Sequence, residues 1–507
     1  VATPKDTSPI QMDSRVRYAY LPFEYEEAPG AAHDRKGHAG ENDMTKKLTI
    51  ISLDGHAQMP ESAWAKYLDK QFHEYLPRLA EERATMAKLM QVHLDHTHGE
   101  ADLDIIDTEG AYRGGGANGW GDPHVRLAEM DREGIAAEFA FDGDPRMVGM
   151  FFMSSNRHYP KDVCNAGVRA YHRWMHDSFG FAKDRLIPVG IIGHTPWASM
   201  TDMLAELDWI ADRGFRATSM PGFVAYPGEP ELFDPYWDPF WARCEERGIA
   251  LWVHAGHGDK QGETGRALMQ VGRQVKPDFS NYKELVDIYI APMYDNAGVF
   301  EAMKPRRSMW QLMLGGVFDR FPKLKLVMNE VYIDWMPGTL RCLDEEFKAR
   351  RGELPAKRLP SEYWATNGIT SMSFPRKCEV AMRHEVGIDT VTFGRDYPHP
   401  EGTWPNTKKW LRDLFTGVPE NEVRAILSEN AIRALNLDGV ALDAIAERIG
   451  PTVEEILGPG PAVDPKLIAH FDKRGHYLQP AEGEQRFAEI REQFREDAWQ
   501  AKGLVPA

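Results

Sequence analysis

The chain has 507 residues with 60 basic and 77 acidic side chains, a net charge of −17, and 42% of its residues are apolar. That length accommodates one large domain with extensions or two to three smaller ones, and a single α/β barrel needs about 250 residues. The acidic balance excludes a broad nucleic-acid surface and attachment to anionic membranes, and no run nears the roughly 18 apolar residues of a membrane span.

Residues 1–47 are polar and irregular, with Pro22, Pro29 and Gly30, and they carry Tyr18, Tyr20, Phe23 and Tyr25. They show no apolar signal region. We read an N-terminal arm whose aromatics dock on its own domain or on a neighbouring subunit. The first strand is Leu48-Thr-Ile-Ile-Ser-Leu-Asp-Gly-His56, where Ile50, Ile51 and Leu53 suit a strand packed on both faces. A helix-rich stretch from Glu61 to Val92 and a His-rich loop follow. The next segment holds Gly110, Gly114, Gly115, Gly116, Gly119 and Gly121. Its spacing matches neither G-x-G-x-x-G nor a Walker loop, so it is expected as a loop over a barrel mouth rather than a phosphate cradle.

Strands and helices then alternate. A helix over Arg126 to Glu133 leads into Gly134-Ile-Ala-Ala-Glu-Phe-Ala-Phe141, and a helix from about Tyr159 to Phe179 into Leu186-Ile-Pro-Val-Gly-Ile-Ile192. A helix from Ser199 to Arg213 precedes Gly214-Phe-Arg-Ala-Thr-Ser-Met220, and one around Pro239 to Arg247 precedes Ile249-Ala-Leu-Trp-Val-His254. After an insertion at about 255–310 come Leu324-Lys-Leu-Val-Met-Asn-Glu330, Gly368-Ile-Thr-Ser-Met372 and Thr390-Val-Thr-Phe-Gly-Arg-Asp396. Eight such strands between Leu48 and Asp396 predict an α/β fold, one (β/α)8 TIM barrel over about 48–435. The insertion between the fifth and sixth strands is expected to wall the mouth or form an interface. Residues 436–507 are expected as a helical C-terminal extension, amphipathic over Val440 to Leu457. From Glu482 to Lys502 they read as a charged helix with a stripe of Phe487, Ile490, Phe494 and Trp499.

Cys164, Cys244, Cys342 and Cys378 lie far apart with no C-x-x-C pair, so neither a thiolate zinc site nor a disulfide framework is indicated. The chain reads as cytoplasmic and reduced, and any metal must be held by His and carboxylates. Four predicted strands end on such groups: Asp54 and His56 on the first, His254 on the fifth, Glu330 on the sixth and Asp396 on the eighth. Each has a plain structural alternative. Asp-Gly-His is an ordinary turn sequence, His254 is a packed histidine, Glu330 an arginine's partner, and Asp396 a turn or cap residue. Together they point elsewhere, because buried carboxylates need a cation or donors to offset desolvation. Two imidazoles and three carboxylates at the C-terminal rim suit a divalent transition metal, Zn²⁺ first and Fe²⁺ or Mn²⁺ next.

The same residues resemble the amidohydrolase superfamily, in the branch that holds carboxymuconate-semialdehyde-type decarboxylases. Asp54-Gly-His56 is similar to the first-strand H-x-H, E-x-H or D-x-H element, and His254 in Trp-Val-His-Ala-Gly to the fifth-strand His. Glu330, followed by Trp335-Met-Pro337, is similar to the sixth-strand position where many members have His. Gly394-Arg-Asp-Tyr-Pro-His399 resembles the G-S-D-x-P-H element whose Asp is both ligand and proton handler. The likeness runs over about 48–435. Departures are Asp54 for the commoner first His, Met59 for an acidic residue, Val331-Tyr332 for small residues, and Arg395 for a small residue. The resemblance implies a metal-dependent enzyme that hydrolyses or non-oxidatively decarboxylates a small carboxylate- or amide-bearing substrate. Asp396, His257 and His399 would be its catalytic groups, and Tyr332, Trp404 and Arg395 would contact substrate. Arg395 would clamp a carboxylate or pair with Glu330. The insertion and both extensions also resemble the aminoisobutyrate-hydroxylase-like oxygenases, which implies as an alternative an O₂-dependent hydroxylase, or its supporting subunit, with iron or manganese–iron, acting on a small amino acid. A degenerate barrel serving as a structural partner is the third reading. A homo- or hetero-oligomer is expected, so removal of residues 1–40 should shift the mass measured by light scattering toward a smaller species.

Overall fold

A computed structural model describes residues 45–80, 84, 100–143, 159–222, 228–255, 257, 303–373, 375–399, 402–474 and 484–504. The expected arm, apart from 45–47, and the expected insertion, apart from its ends, lie outside the described residues.

Eight apolar segments become parallel strands: β1 (Ile50–Ser52), β2 (Ile135–Asp142), β3 (Leu186–Gly190), β4 (Ala217–Ser219), β5 (Ala250–Val253), β6 (Leu326–Met328), β7 (Gly368–Ser373) and β8 (Val391–Gly394). A two-residue strand, His56–Ala57, prolongs β1 and pairs with the end of β2. Neighbours in sequence are neighbours in the sheet, from β1 round to β8. The edges meet where Leu53 N donates to Phe393 O at 2.8 Å and Asp396 N to Asp54 O at 3.0 Å. The result is the expected (β/α)8 barrel. Almost every strand residue is buried, which is why the strands read as continuous apolar runs rather than alternating ones.

Helices separate the strands with the chemistry expected at their ends. Asp122 caps Pro123–Glu133 by accepting from His124 N and Val125 N, and Gly134 ends it in the left-handed conformation. Ser199 caps Met200–Ala211 through Asp202 N, and Gly248 closes Asp238–Arg247. Lys161–Phe179 buries Val163, Val168, Tyr171, Trp174, Met175 and Phe179 against the barrel. No helix among the described residues is long and apolar enough to cross a membrane.

The glycine-rich segment is tied to residues that follow the ends of β1 and β8: Gln58 N donates to Trp120 O at 2.9 Å. Tyr397 donates its hydroxyl to Gly116 O, and a Cβ on Gly119 would lie 2.1 Å from Tyr397 Oη and 2.8 Å from Arg126 Cα. These glycines therefore permit close approach of backbone to side chain. The C-terminal helix, Glu484–Lys502, buries Ile490 and Phe494 as expected, but Trp499 is 78% exposed and points away from that stripe.

That helix is anchored within the chain by a polar contact. Asp497 is fully buried and accepts from Trp310 Nε1 at 2.7 Å, Arg307 Nη2 at 2.7 Å and Gln311 Nε2 at 3.1 Å. Asp497→Ala removes the acceptor and leaves Trp310 Nε1 unpaired, while Arg307 Nη2 and Gln311 Nε2 keep Glu231 as their partner. The expected loss is about 1–3 kcal/mol, the usual effect of orphaning a buried donor, read by urea denaturation, with limited proteolysis cutting the C-terminal helix first. An unchanged midpoint would contradict this anchoring.

Candidate metal centre

At the C-terminal ends of β1, β5, β6 and β8 the backbone is held so that donors converge. Ser52 Oγ donates to Asp54 O at 2.7 Å and accepts from Arg395 N at 3.0 Å, tying the end of β1 to the residue before Asp396. Gly394 permits this approach, because a Cβ there would stand 2.6 Å from both Asp54 Cβ and Ser371 Oγ. Glu330, Tyr332 and Asp396 adopt positive φ of 52°, 56° and 53°. Such conformations cost roughly 1–3 kcal/mol each and persist where the surroundings over-determine them, commonly at functional sites.

The side chains form a chain of close contacts. Glu330 Oε2 lies 2.8 Å from His254 Nε2, which is 3.4 Å from Asp54 Oδ1. Asp54 Oδ1 is 3.6 Å from His56 Nε2, which is 3.1 Å from Asp396 Oδ1. Asp396 Oδ1 is in turn 3.6 Å from His399 Nδ1. The donors fall into two groups that share His56: Asp54, His56, His254 and Glu330, and His56, Asp396 and His399. All are buried except His399, which is partly so.

His56 Nδ1 lies 3.1 Å from Asp142 O. A carbonyl can only accept, so Nδ1 carries the proton and Nε2 turns its lone pair into the cluster, the usual arrangement behind a metal-bound imidazole. Asn329 Nδ2 donates to Asp54 Oδ1 at 2.8 Å. Burial drives the pKa of His56 well below its ordinary value, with His399 and His254 adding to the effect. Burial also opposes charge on His254, but Glu330 and Asp54 outweigh it and carry its pKa up to about 10. Burial raises Glu330 as well. The His254–Glu330 pair therefore retains a proton that a metal ion would displace.

The residues present fit a divalent transition metal. Asp54 Oδ2 and His56 Nε2 are buried without a hydrogen-bond partner among the described residues, and the donors are imidazoles and carboxylates in the set such ions take. His254→Ala deletes a donor that touches two carboxylates. Metal affinity is expected to fall by more than the roughly 10–100-fold that follows loss of an outer hydrogen bond, as read by elemental analysis after dialysis. Full occupancy in this variant would misplace the centre.

Other expected site residues sit differently. His257 is buried, and desolvation pushes it down to about 3. Its backbone N donates to His254 O at 2.9 Å, but its side chain is in neither donor group. Tyr332 is buried, with the Arg376 guanidinium 5.6 Å from its ring. Arg395 does not pair with Glu330. It is fully buried and bound to Glu138, with Nη2 3.1 Å from Oε1, because β2 brings that carboxylate under the mouth. Trp404 is turned to the outer layer, where its Nε1 donates to Glu129 Oε2 at 2.7 Å. Sequence reasoning missed Asn329, Arg126 and Glu138. The signal for Glu138 was present, since it is the one charged residue within the run Ile135 to Phe141.

The sequence model of a family described as Amidohydrolase matches residues 54–437. No curated protein matches the chain. A solved amidohydrolase from Mycobacterium avium subsp. paratuberculosis K-10 is similar at 18% identity, over 76% of this chain and 99% of that one, with a TM-score of 0.52. The 5-carboxyvanillate decarboxylase of Sphingomonas paucimobilis is 17% identical over 77% of this chain and 100% of its own, with a TM-score of 0.49. The 2,6-dihydroxybenzoate decarboxylase from Rhizobium is 18% identical over 77% and 100%, with a TM-score of 0.48.

Proposed function

The chain belongs to the amidohydrolase family, and on that premise we propose that it is a metal-dependent enzyme acting on a small carboxylate- or amide-bearing substrate by non-oxidative decarboxylation or by hydrolysis. The observation that carries this reading is the run of carboxylates and imidazoles from Glu330 to His399, all buried but the last, at the C-terminal mouth of the barrel.

Asp54, His56, His254, Glu330 and Asp396 would hold the metal, with Zn²⁺ as the first candidate and Fe²⁺ or Mn²⁺ next. When bound, such an ion supplies Lewis acidity to a substrate oxygen and acidifies water. The remaining work falls to the chain. In decarboxylation, Asp396 in its acid form gives its proton to the carbon that loses CO₂, and the pair of electrons left by the broken C–C bond forms the new C–H bond. In hydrolysis, Asp396 takes a proton from the attacking water and returns it to the leaving group. His257, kept neutral by burial, and His399 are the candidates to donate a hydrogen bond to the substrate carbonyl.

Metal analysis of the purified protein together with an oxygen-electrode trace tests the proposal. Stoichiometric metal without O₂ consumption, and CO₂ or hydrolysis products from a panel of small carboxylates and amides, is the expected result. Iron or manganese with O₂ uptake would overturn it in favour of an amino-acid hydroxylase. Protein with no affinity for metal would make the barrel a structural partner.

A further inference from the structure

β6 ends on a turn that its own residues do not favour. Glu330 and Tyr332 both have positive φ, 52° and 56°, a region that residues other than glycine occupy only where the surroundings offset the cost. The start of the turn is fixed by Asn329 N, which donates to Val253 O on β5 at 2.8 Å. Its middle is fixed by Trp335 Nε1, which donates to Val331 O at 2.5 Å. Its end is fixed from a different element, because Ile333 N donates to Glu379 Oε1 at 3.0 Å. Glu379 lies in the short helix Lys377–Ala381 that follows β7, and it is fully buried. Its other oxygen, Oε2, accepts from Arg376 N at 3.0 Å and from Arg376 Nε at 3.4 Å. Arg376 Nη2 donates in turn to Asp334 Oδ2 at 3.2 Å, so the residue after Ile333 is tied to the same helix start.

We propose that Glu379 is a positioning residue for the mouth: by holding Ile333 N it keeps the turn after β6 in the conformation that presents Glu330 to His254. This rests on the reading of the mouth as a metal centre. A role confined to its own helix start would need one oxygen, and Oε2 fills it. Elsewhere in the chain an exposed carboxylate does that work, as Glu362 accepts from Leu359 N at 2.8 Å. Glu379 is instead buried, where a carboxylate is costly unless both oxygens are used, and Oε1 is used on the turn. Ile333 follows Tyr332 directly and stands three residues from Glu330. A turn released at Ile333 is free to relax its positive φ angles, and Glu330 Oε2 then leaves its 2.8 Å contact with His254 Nε2.

Glu379→Ala tests this in two ways. In metal-free protein, hydrogen exchange read by mass spectrometry should be faster in peptides covering 330–336 and unchanged in those covering β1 and β5. Co²⁺ added to chelator-treated protein is the second probe. Its affinity is expected to fall about 10–100-fold, as for other groups that orient ligands, with an altered visible absorption spectrum. Glu379→Gln keeps one acceptor oxygen and should lie between the Ala variant and the parent, and it carries the test if the Ala variant does not fold. Tyr332→Gly, added to Glu379→Ala, removes the strain of one positive φ and should recover part of the affinity. Glu362→Ala loses only a helix-start contact and should keep the parent's affinity and spectrum. Parent-like Co²⁺ affinity and spectrum in both Glu379 variants would confine Glu379 to local structure and overturn the proposal, as would unchanged exchange at 330–336. Failure of Co²⁺ to bind the parent would overturn the metal-centre reading instead, and the exchange measurement would still decide whether Glu379 holds the turn.

Discussion

Asp396→Asn is expected to lower turnover by about 10²–10⁴-fold, the usual worth of a positioned proton-transfer group, while leaving metal content measurable. Asn keeps the size of the side chain and one oxygen donor, but it neither accepts nor delivers a proton. The geometry makes Asp396 suited to that role. It is fully buried at the end of β8, with its backbone in a left-handed conformation and its Oδ1 between His56 Nε2 and His399 Nδ1. Steady-state kinetics on whichever substrate the panel yields, paired with metal analysis, separates the two effects. Loss of activity in step with loss of metal would mean that Asp396 serves only as a ligand. Full activity in the variant would remove it from the chemistry.

The barrel could be read from the chain because its strands are buried on both faces, so each appears as an unbroken apolar run ending on a turn. The same feature made the strand ends legible. A carboxylate or imidazole after such a run must be buried, and a buried carboxylate needs a partner. Asp54, His56, His254, Glu330 and Asp396 stand out on that ground, and the two donor groups contain all five, with His56 in both. What could not be read is which side chain meets which across the barrel. Arg395 sits beside Asp396 in sequence, yet its partner Glu138 is 257 positions away, on β2. Trp404 likewise finds Glu129, 275 positions away. Periodicity and turn chemistry are local signals, and neither carries the register that sets such pairs. The glycine-rich segment is a similar case. Its composition shows freedom of the backbone, but the need for that freedom lies in Tyr397 and Arg126, which only the fold brings against it.

Glu138→Leu is expected to cost about 3–5 kcal/mol of folding stability, the usual effect of breaking a buried ion pair from one side. Here one carboxylate serves two guanidiniums. Glu138 Oε1 accepts from Arg126 Nε at 2.8 Å and from Arg395 Nη2 at 3.1 Å, and all three side chains are fully buried. Both cations also lie over the Tyr397 ring, Arg126 at 4.9 Å and Arg395 at 4.5 Å from its centroid, and it offers only a weak alternative to the lost charge. The damage should reach the mouth, because Arg126 Nη1 donates to His56 O at 2.6 Å and so fixes the backbone of a candidate metal ligand. Metal affinity is therefore expected to drop by roughly 10–100-fold, as for other groups that orient ligands. Glu138→Gln should fall between the parent and the Leu variant, since it keeps an acceptor and loses the charge. The double variant Glu138→Leu/Arg395→Met should recover part of the stability, because removing both members of a buried pair leaves fewer uncompensated charges than removing one. Urea denaturation of the metal-free protein measures the first effect and metal titration the second. If the Leu variant unfolds at the parent's midpoint, the two arginines have another counter-charge, and Glu138 is not what holds them under the mouth.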